Sequence, residues 1–122
     1  MTYILVAEDD PHIQLLIQRK LELAGYKVQS TPDGDIALRM AIENPPRLLL
    51  LDVMLPGQNG LEICRQVKEQ FGSQAPKVII VSARGQQDDV EAGDAVGADD
   101  YLIKPFQPRD LLERVEAVLG RR

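Results

Sequence analysis

Asp52 closes the most apolar run in the chain, Leu48-Leu49-Leu50-Leu51, and the sequence turns at once into Val53-Met54-Leu55-Pro56-Gly57. A carboxylate where a buried strand gives way to a loop carries a desolvation penalty, and an idle residue would not be kept there. A second apolar run, Tyr3-Ile4-Leu5-Val6-Ala7, ends in Glu8-Asp9-Asp10, and two further runs stop at Ser82 and just before Lys104. Carboxylates suit a hard cation, while an ammonium and a hydroxyl suit phosphate. Four strand ends thus carry residues fitted to metal and phosphate chemistry.

The elements that must position them follow from the period of the apolar residues. Strands are predicted near 3–7, 27–30, 47–51, 77–82 and 100–103, with helices near 11–24, 33–44, 58–70, 86–96 and 108–120. Strict alternation of strand and helix implies a parallel sheet covered on both faces. The first helix carries Ile13, Leu16, Ile17, Leu21 and Ala24 as its apolar face, begins at Asp10-Pro11 and stops at Gly25. The last repeats the pattern with Leu111, Leu112, Val115, Val118 and Leu119 before Gly120. The fourth, Gln86-Gln87-Asp88-Asp89-Val90-Glu91-Ala92-Gly93-Asp94, has few apolar anchors, and an interior Gly costs about 1 kcal/mol relative to Ala, so it is expected to be the least stable.

A chain of 122 residues, 44% hydrophobic and 4% aromatic, fits one compact domain over 1–122, and Arg121-Arg122 after the last helix read as a domain boundary. Its net charge of −5 opposes attraction to nucleic acid or anionic lipid, so direct nucleic-acid binding is not expected. The single Cys64, among apolar helical positions, excludes a disulfide framework and reads as a core filler. No apolar run reaches the roughly 18 residues of a membrane span and no signal sequence leads the chain, which reads as cytoplasmic with no membrane partner.

In an open doubly wound sheet, ligands bind beyond the carboxyl ends of the strands where the strand order reverses. If the order is 2-1-3-4-5, the first and third strands are neighbours and Glu8, Asp9 and Asp52 meet. Carboxylates about 4 Å apart repel by roughly 4 kcal/mol at an effective dielectric of 20, so the cluster calls for a cation or raised pKa values. Mg²⁺ is the simplest answer, since it uses one or two carboxylates plus phosphate oxygens and retains waters. Lys104 and Ser82 are then placed to hold a phosphoryl group.

Glu8-Asp9, Asp52 with Met54 two residues on, Ser82-Ala83 and Lys104-Pro105 resemble, in order and over the whole chain, the signature of receiver domains of two-component response regulators. The resemblance implies a flavodoxin-like (βα)5 sandwich with strand order 2-1-3-4-5. It implies that Asp52 accepts phosphate from the phosphohistidine of a sensor histidine kinase or phosphotransfer protein. Mg²⁺ or Mn²⁺ would be held by Asp9, Asp52 and the Met54 backbone carbonyl, with Glu8 acting through water. Lys104 would contact the phosphate, and Ser82 with an inward-turning Tyr101 would form the switch. A cis bond is expected before Pro105, and Met54 and Arg84 sit where hydrolysis is tuned. Such a domain phosphorylates and dephosphorylates itself and turns over no external substrate.

Gly97-Ala98-Asp99-Asp100-Tyr101 and Lys104-Pro105-Phe106 are most similar to receivers of winged-helix transcription factors, which pair through the fourth helix, fifth strand and fifth helix. Asp100 and Arg114 match that pattern. Val90 stands in place of a basic residue, Asp94 in place of an apolar one and Ala95 in place of Glu, so a homodimer through that face is less expected. The partners implied are the kinase and an output domain or downstream protein.

Each residue also has a plainer reading. Asp10 is assigned only a helix cap, a role Asp9 could share. Ser82 reads alone as a strand-end turn residue, Tyr101 as a half-buried aromatic, and His12 as an exposed side chain with no role. A phosphatase using an aspartyl nucleophile resembles Asp-x-Asp, whereas Met54 fills the second position. A flavin binder needs a phosphate-cradling Gly loop, and the first strand-helix turn is acidic and lacks Gly. A receiver-like module that takes no phosphate is the alternative in the signalling class.

Overall fold

The computed structural model describes residues 2–83, 91–92 and 94–120. Along them run β1 (Ile4–Ala7), α1 (Pro11–Leu23), β2 (Val28–Thr31), α2 (Gly34–Glu43), β3 (Leu48–Asp52), α3 (Gly60–Phe71), a 3-10 turn (Gly72–Gln74), β4 (Lys77–Ser82), β5 (Asp100–Ile103) and a C-terminal helix (Pro108–Leu119). Among the described residues the strands form one parallel sheet in the order β2-β1-β3-β4-β5. This is the doubly wound order assumed above, and it places β1 beside β3.

β3 shows why its apolar run is continuous. Successive side chains point to opposite faces of a strand, and here both faces are covered. Leu48 and Leu50 join Ile17 and Leu21 of α1 with Leu111 and Val115 of the C-terminal helix. Leu49 and Leu51 join Ala37 and Ala41 of α2 with Ile63, Cys64 and Val67 of α3. Cys64 is the core filler expected, and burial pushes its thiol up to about 11, which leaves it inert at neutral pH.

Local signals set the helix ends. The Asp10 carboxylate accepts the N–H groups of His12 at 2.8 Å and Ile13 at 3.2 Å, and Pro11 occupies the first turn, where no N–H is needed. Asn59 caps α3 by accepting the Leu61 N–H at 2.7 Å, so that helix opens at Gly60 and not near 58. β3 extends to Asp52, one residue past the predicted stop, and Asp52 lies in register with Val81. The predicted strand near 27–30 is shifted to Val28–Thr31. Leu16 departs from the apolar face expected of α1: it is 39% exposed, because the buried stripe is centred on Ile17 and Leu21. His12 is exposed, as expected. Of the predicted fourth helix, residues 91–92 and 94–95 are helical; the readings that rest on Arg84, Gln86–Val90 and Gly93 lie outside the described residues.

One glycine makes the junction between β3 and α3 possible. A Cβ on Gly60 would stand 2.1 Å from the carbonyl oxygen of Asp52, while the Gly60 N–H donates to the Val53 carbonyl at 3.0 Å. A methyl group there forces the helix start and the strand end apart. Gly60→Ala is therefore expected to lower stability by about 2 kcal/mol or more, read as a lowered urea midpoint at unchanged m-value. A variant within about 0.5 kcal/mol of wild type would show that the junction yields easily.

Candidate functional site

The sheet register brings the predicted residues to one edge. Ala7 pairs with Leu51, so Glu8 and Asp52 come next on adjacent strands. Ser82 pairs with Ile103, so Lys104 follows directly beside it, and the Lys104 N–H donates to the Ser82 carbonyl at 2.7 Å. Glu8 is 1% exposed and Asp52 is 5% exposed. Carboxylate oxygens of Glu8, Asp9 and Asp52 lie within 4.8 Å of one another, with Asp9 at the exposed lip.

Among the described residues, one ammonium, that of Lys104, pairs with two of the three carboxylates. Lys104 Nζ stands 2.9 Å from Glu8 Oε1 and 3.1 Å from Asp52 Oδ2. Asp52 Oδ1 accepts the Met54 N–H at 3.3 Å, and Glu8 Oε2 accepts the Asp10 N–H at 3.1 Å. Glu8 Oε1 is buried, and among the described residues its polar partner is the Lys104 ammonium. Burial raises the Glu8 carboxyl above its ordinary value of 4.5, and the neighbouring Asp52 charge adds to the rise against the opposing pull of Lys104 and the Asp10 N–H. For Lys104, burial acts to lower the pKa, but the Glu8 and Asp52 carboxylates outweigh it and the net shift is upward. The lysine is thus a fixed positive charge shared between two buried carboxylates.

That donor set fits a divalent cation. All ligand atoms are oxygens, as hard Mg²⁺ or Mn²⁺ requires, two are buried, and one sits at an open lip. Positive charge brought there relieves the mutual repulsion that, among the described residues, Lys104 offsets.

Met54, whose carbonyl the resemblance assigns to the metal, is exposed and follows Asp52 into the loop. Ser82 is buried at the end of β4. Tyr101 lies on β5 with its ring against the cluster around Cys64, and its hydroxyl donates to Asp94 at the surface. The Lys104-Pro105 bond is cis, as the resemblance implied. Arg114 pairs with Asp100 at 2.7 Å, a partly exposed pair worth at most about 1 kcal/mol.

The supporting roles of Gln14 and Asp99 are not legible in the sequence. Gln14 Nε2 donates to the Glu8 carbonyl at 3.0 Å, holding the turn after β1. Asp99 accepts the Val78 N–H at 2.8 Å and pairs with Lys68 at 2.9 Å, tying the approach to β5 onto α3 and β4. Adjacent aspartates at 99 and 100 face different partners, which spacing alone does not distinguish.

A parallel sheet with reversing strand order and an acidic pocket with a paired lysine at its carboxyl edge define a flavodoxin-like domain whose acidic pocket is compatible with a divalent cation. Residues 4–116 match the family model described as the response regulator receiver domain, and the chain belongs to that family. It is 43% identical over 121 residues to the response regulator ArlR of Staphylococcus saprophyticus, covering 99% of this chain and 54% of that protein. It is 38% identical over 120 residues to the transcriptional regulatory protein ResD of Bacillus subtilis, covering 98% of this chain and 49% of that one. The BeF3-activated N-terminal receiver domain of Klebsiella pneumoniae RstA superposes with a TM-score of 0.87 at 30% identity, over 97% of this chain and 98% of that one. The chain spans about half the length of the curated relatives it matches. As a receiver domain of a two-component system it is a signalling domain, not a turnover enzyme. No helix among the described residues is long and apolar enough to cross a membrane.

Proposed function

We propose that Asp52 is the phosphoacceptor of this receiver. The observation that carries the reading is its buried carboxylate, held 3.1 Å from Lys104 Nζ within a cluster of three acids. A carboxylate oxygen of Asp52 attacks the phosphorus of a phosphohistidine on a sensor histidine kinase or phosphotransfer protein. The P–N bond breaks, its electron pair stays on the imidazole, which takes up a proton, and the carboxylate becomes an acyl phosphate. Hydrolysis later returns the carboxylate and inorganic phosphate, so the domain promotes only its own phosphorylation and dephosphorylation.

Asp9, Asp52 and the Met54 carbonyl would hold Mg²⁺ or Mn²⁺, with Glu8 acting through water. The bound ion would neutralise charge on the transferring phosphoryl group. Lys104, kept protonated by its two acidic neighbours, supplies a point charge to the phosphate oxygens. Ser82, at the next strand end, supplies a hydroxyl to the phosphoryl group, and Tyr101 turns inward behind it. The shift changes the surface around the fourth helix, β5 and the C-terminal helix, which passes the signal to an output domain or downstream protein.

Residues 1–122 form one receiver unit on this reading, acting in the cytoplasm as part of a regulator. The relative described as a transcriptional regulatory protein supports an output in gene control, delivered by another segment or partner because this acidic chain is unsuited to nucleic acid. An apolar rim of Ile13, Leu16, Ala83, Pro105 and Phe106 borders Lys104 and suits a kinase that presents its phosphohistidine to the pocket. The acidic trio with its lysine argues against a module that never takes phosphate.

The test is intact-mass spectrometry after incubation with acetyl phosphate. One phosphoryl adduct that requires Mg²⁺ and disappears on chelation is expected. Folded protein that takes up no phosphoryl group from either acetyl phosphate or a cognate kinase would refute the reading.

A further inference from the structure

We infer that Asp94 is a positioning residue that latches the Tyr101 side chain in its outward, resting orientation and so sets how readily the receiver switches. This rests on the acceptor reading above only in assigning Tyr101 to the switch. The Tyr101 hydroxyl donates to a carboxylate oxygen of Asp94, seven positions upstream, while the ring lies against the cluster that contains Cys64, Val67 and Ile80. A hydrogen bond to an ionised acceptor is stronger than a neutral one. The resemblance places an apolar side chain at position 94, which could accept nothing from a tyrosine.

The turn between the two residues is pinned, so their meeting is built into the packing. The Val96 N–H donates to the Ala92 carbonyl at 3.2 Å and the Gly97 N–H to the Asp94 carbonyl at 3.2 Å. The Cys64 thiol donates to the Val96 carbonyl at 3.5 Å. Asp99 ties the far side of the turn to Val78 and Lys68. Gly97, at φ +88°, supplies the left-handed residue that closes the turn. With both ends held, turning Tyr101 inward withdraws its hydroxyl from Asp94. The resting state is favoured by that bond, and a ligand selecting the inward state binds more weakly in proportion.

The contact is partly exposed and competes with water, so its weight is moderate. Removing the acceptor is expected to lower the beryllofluoride concentration needed for half-conversion by about fivefold. The experiment uses 3-fluorotyrosine-labelled wild type, Asp94→Ala and Asp94→Asn, with Tyr101→Phe identifying the Tyr101 ¹⁹F resonance. In resting protein, without Mg²⁺ or beryllofluoride, the Asp94→Ala resonance is expected to move toward its position in the beryllofluoride-saturated state. Asp94→Asn, which keeps a neutral and weaker acceptor, should fall between wild type and the Ala variant. On titration with beryllofluoride and Mg²⁺ the Ala variant should convert at the lower concentration, and in a Tyr101→Phe background the same substitution, followed by intrinsic backbone amide shifts, should change nothing.

An Ala variant whose resting resonance coincides with wild type overturns the latch, as does an Asn variant shifted as far as the Ala variant. Wild type that ignores beryllofluoride and Mg²⁺ counts against the acceptor reading instead, and the resting comparison still decides the latch.

Discussion

Asp52→Asn is expected to lose Mg²⁺-dependent phosphoryl uptake from acetyl phosphate by at least about a hundredfold while keeping the fold. A carboxamide oxygen carries no full negative charge and is a poor nucleophile at phosphorus, so no acyl phosphate forms at that position. The structure also argues that the variant stays folded. Asp52 uses one oxygen for the Met54 N–H and the other for Lys104, and Asn retains one acceptor for the two donors. Against the lost bond stands the repulsion from Glu8 and Asp9, which falls when one of three clustered charges is removed. The net change in stability should lie within about 1 kcal/mol. Intact mass reads the first quantity and a urea midpoint the second. Labelling of the folded variant at full stoichiometry would refute the assignment of Asp52.

Lys104→Ala is expected to have the largest effect on stability. The substitution leaves the carboxylates of Glu8 and Asp52 buried with, among the described residues, no cation beside them. Breaking a buried ion pair by removing one partner costs about 3 kcal/mol or more, because the remaining charge is uncompensated. The loss should depend on pH in a defined direction. Glu8 already binds its proton more tightly in the folded protein than its ordinary value of 4.5, through burial and the Asp52 charge. Without Lys104 that shift grows. Well below 4.5 Glu8 is protonated folded and unfolded, and it imposes no penalty on the folded state. As pH rises from there through the raised folded value, the folded state holds more protons than the unfolded one, and stability falls.

The variant should therefore lie closest to wild type in acid and fall away toward neutral pH. Mg²⁺ should return part of the loss, since a ligand at a hundred times its dissociation constant stabilises by about 2.7 kcal/mol. Thermal midpoints across pH, with and without Mg²⁺, check both statements. A midpoint equal to wild type at neutral pH and indifferent to Mg²⁺ would mean that the three acids do not share a coupled, cation-seeking pocket.

The legibility of this protein varied along the chain for physical reasons. Where one interaction dominated, the sequence was enough. The Leu48–Leu51 run could be stable only between two covered faces, and Asp10-Pro11 could open a helix with few competitors. Where the outcome depended on partners distant in sequence, it was not. Leu16 matched the apolar face of α1 as well as Ile17 did, yet Ile17 is buried and Leu16 is 39% exposed, because the buried stripe of the helix is centred on Ile17 and Leu21. The Asp94 departure from an apolar residue was visible, but its bond to Tyr101 was not, since that contact needs the turn held by Cys64, Asp99 and Lys68.

By itself the sequence determined the alternation of strand and helix, and hence a parallel sheet with acidic, hydroxyl and basic residues at its strand ends. Those are consequences of side-chain period and desolvation, which act within a single element. The strand order that sets β1 against β3 was implied by resemblance and not by the residues alone, and only the tertiary structure decided that Lys104 reaches both Glu8 and Asp52. Contacts of a few ångströms are set by how helices pack across the sheet, and charges couple more strongly as they approach, so the electrostatics of the pocket exist only once the edge is assembled.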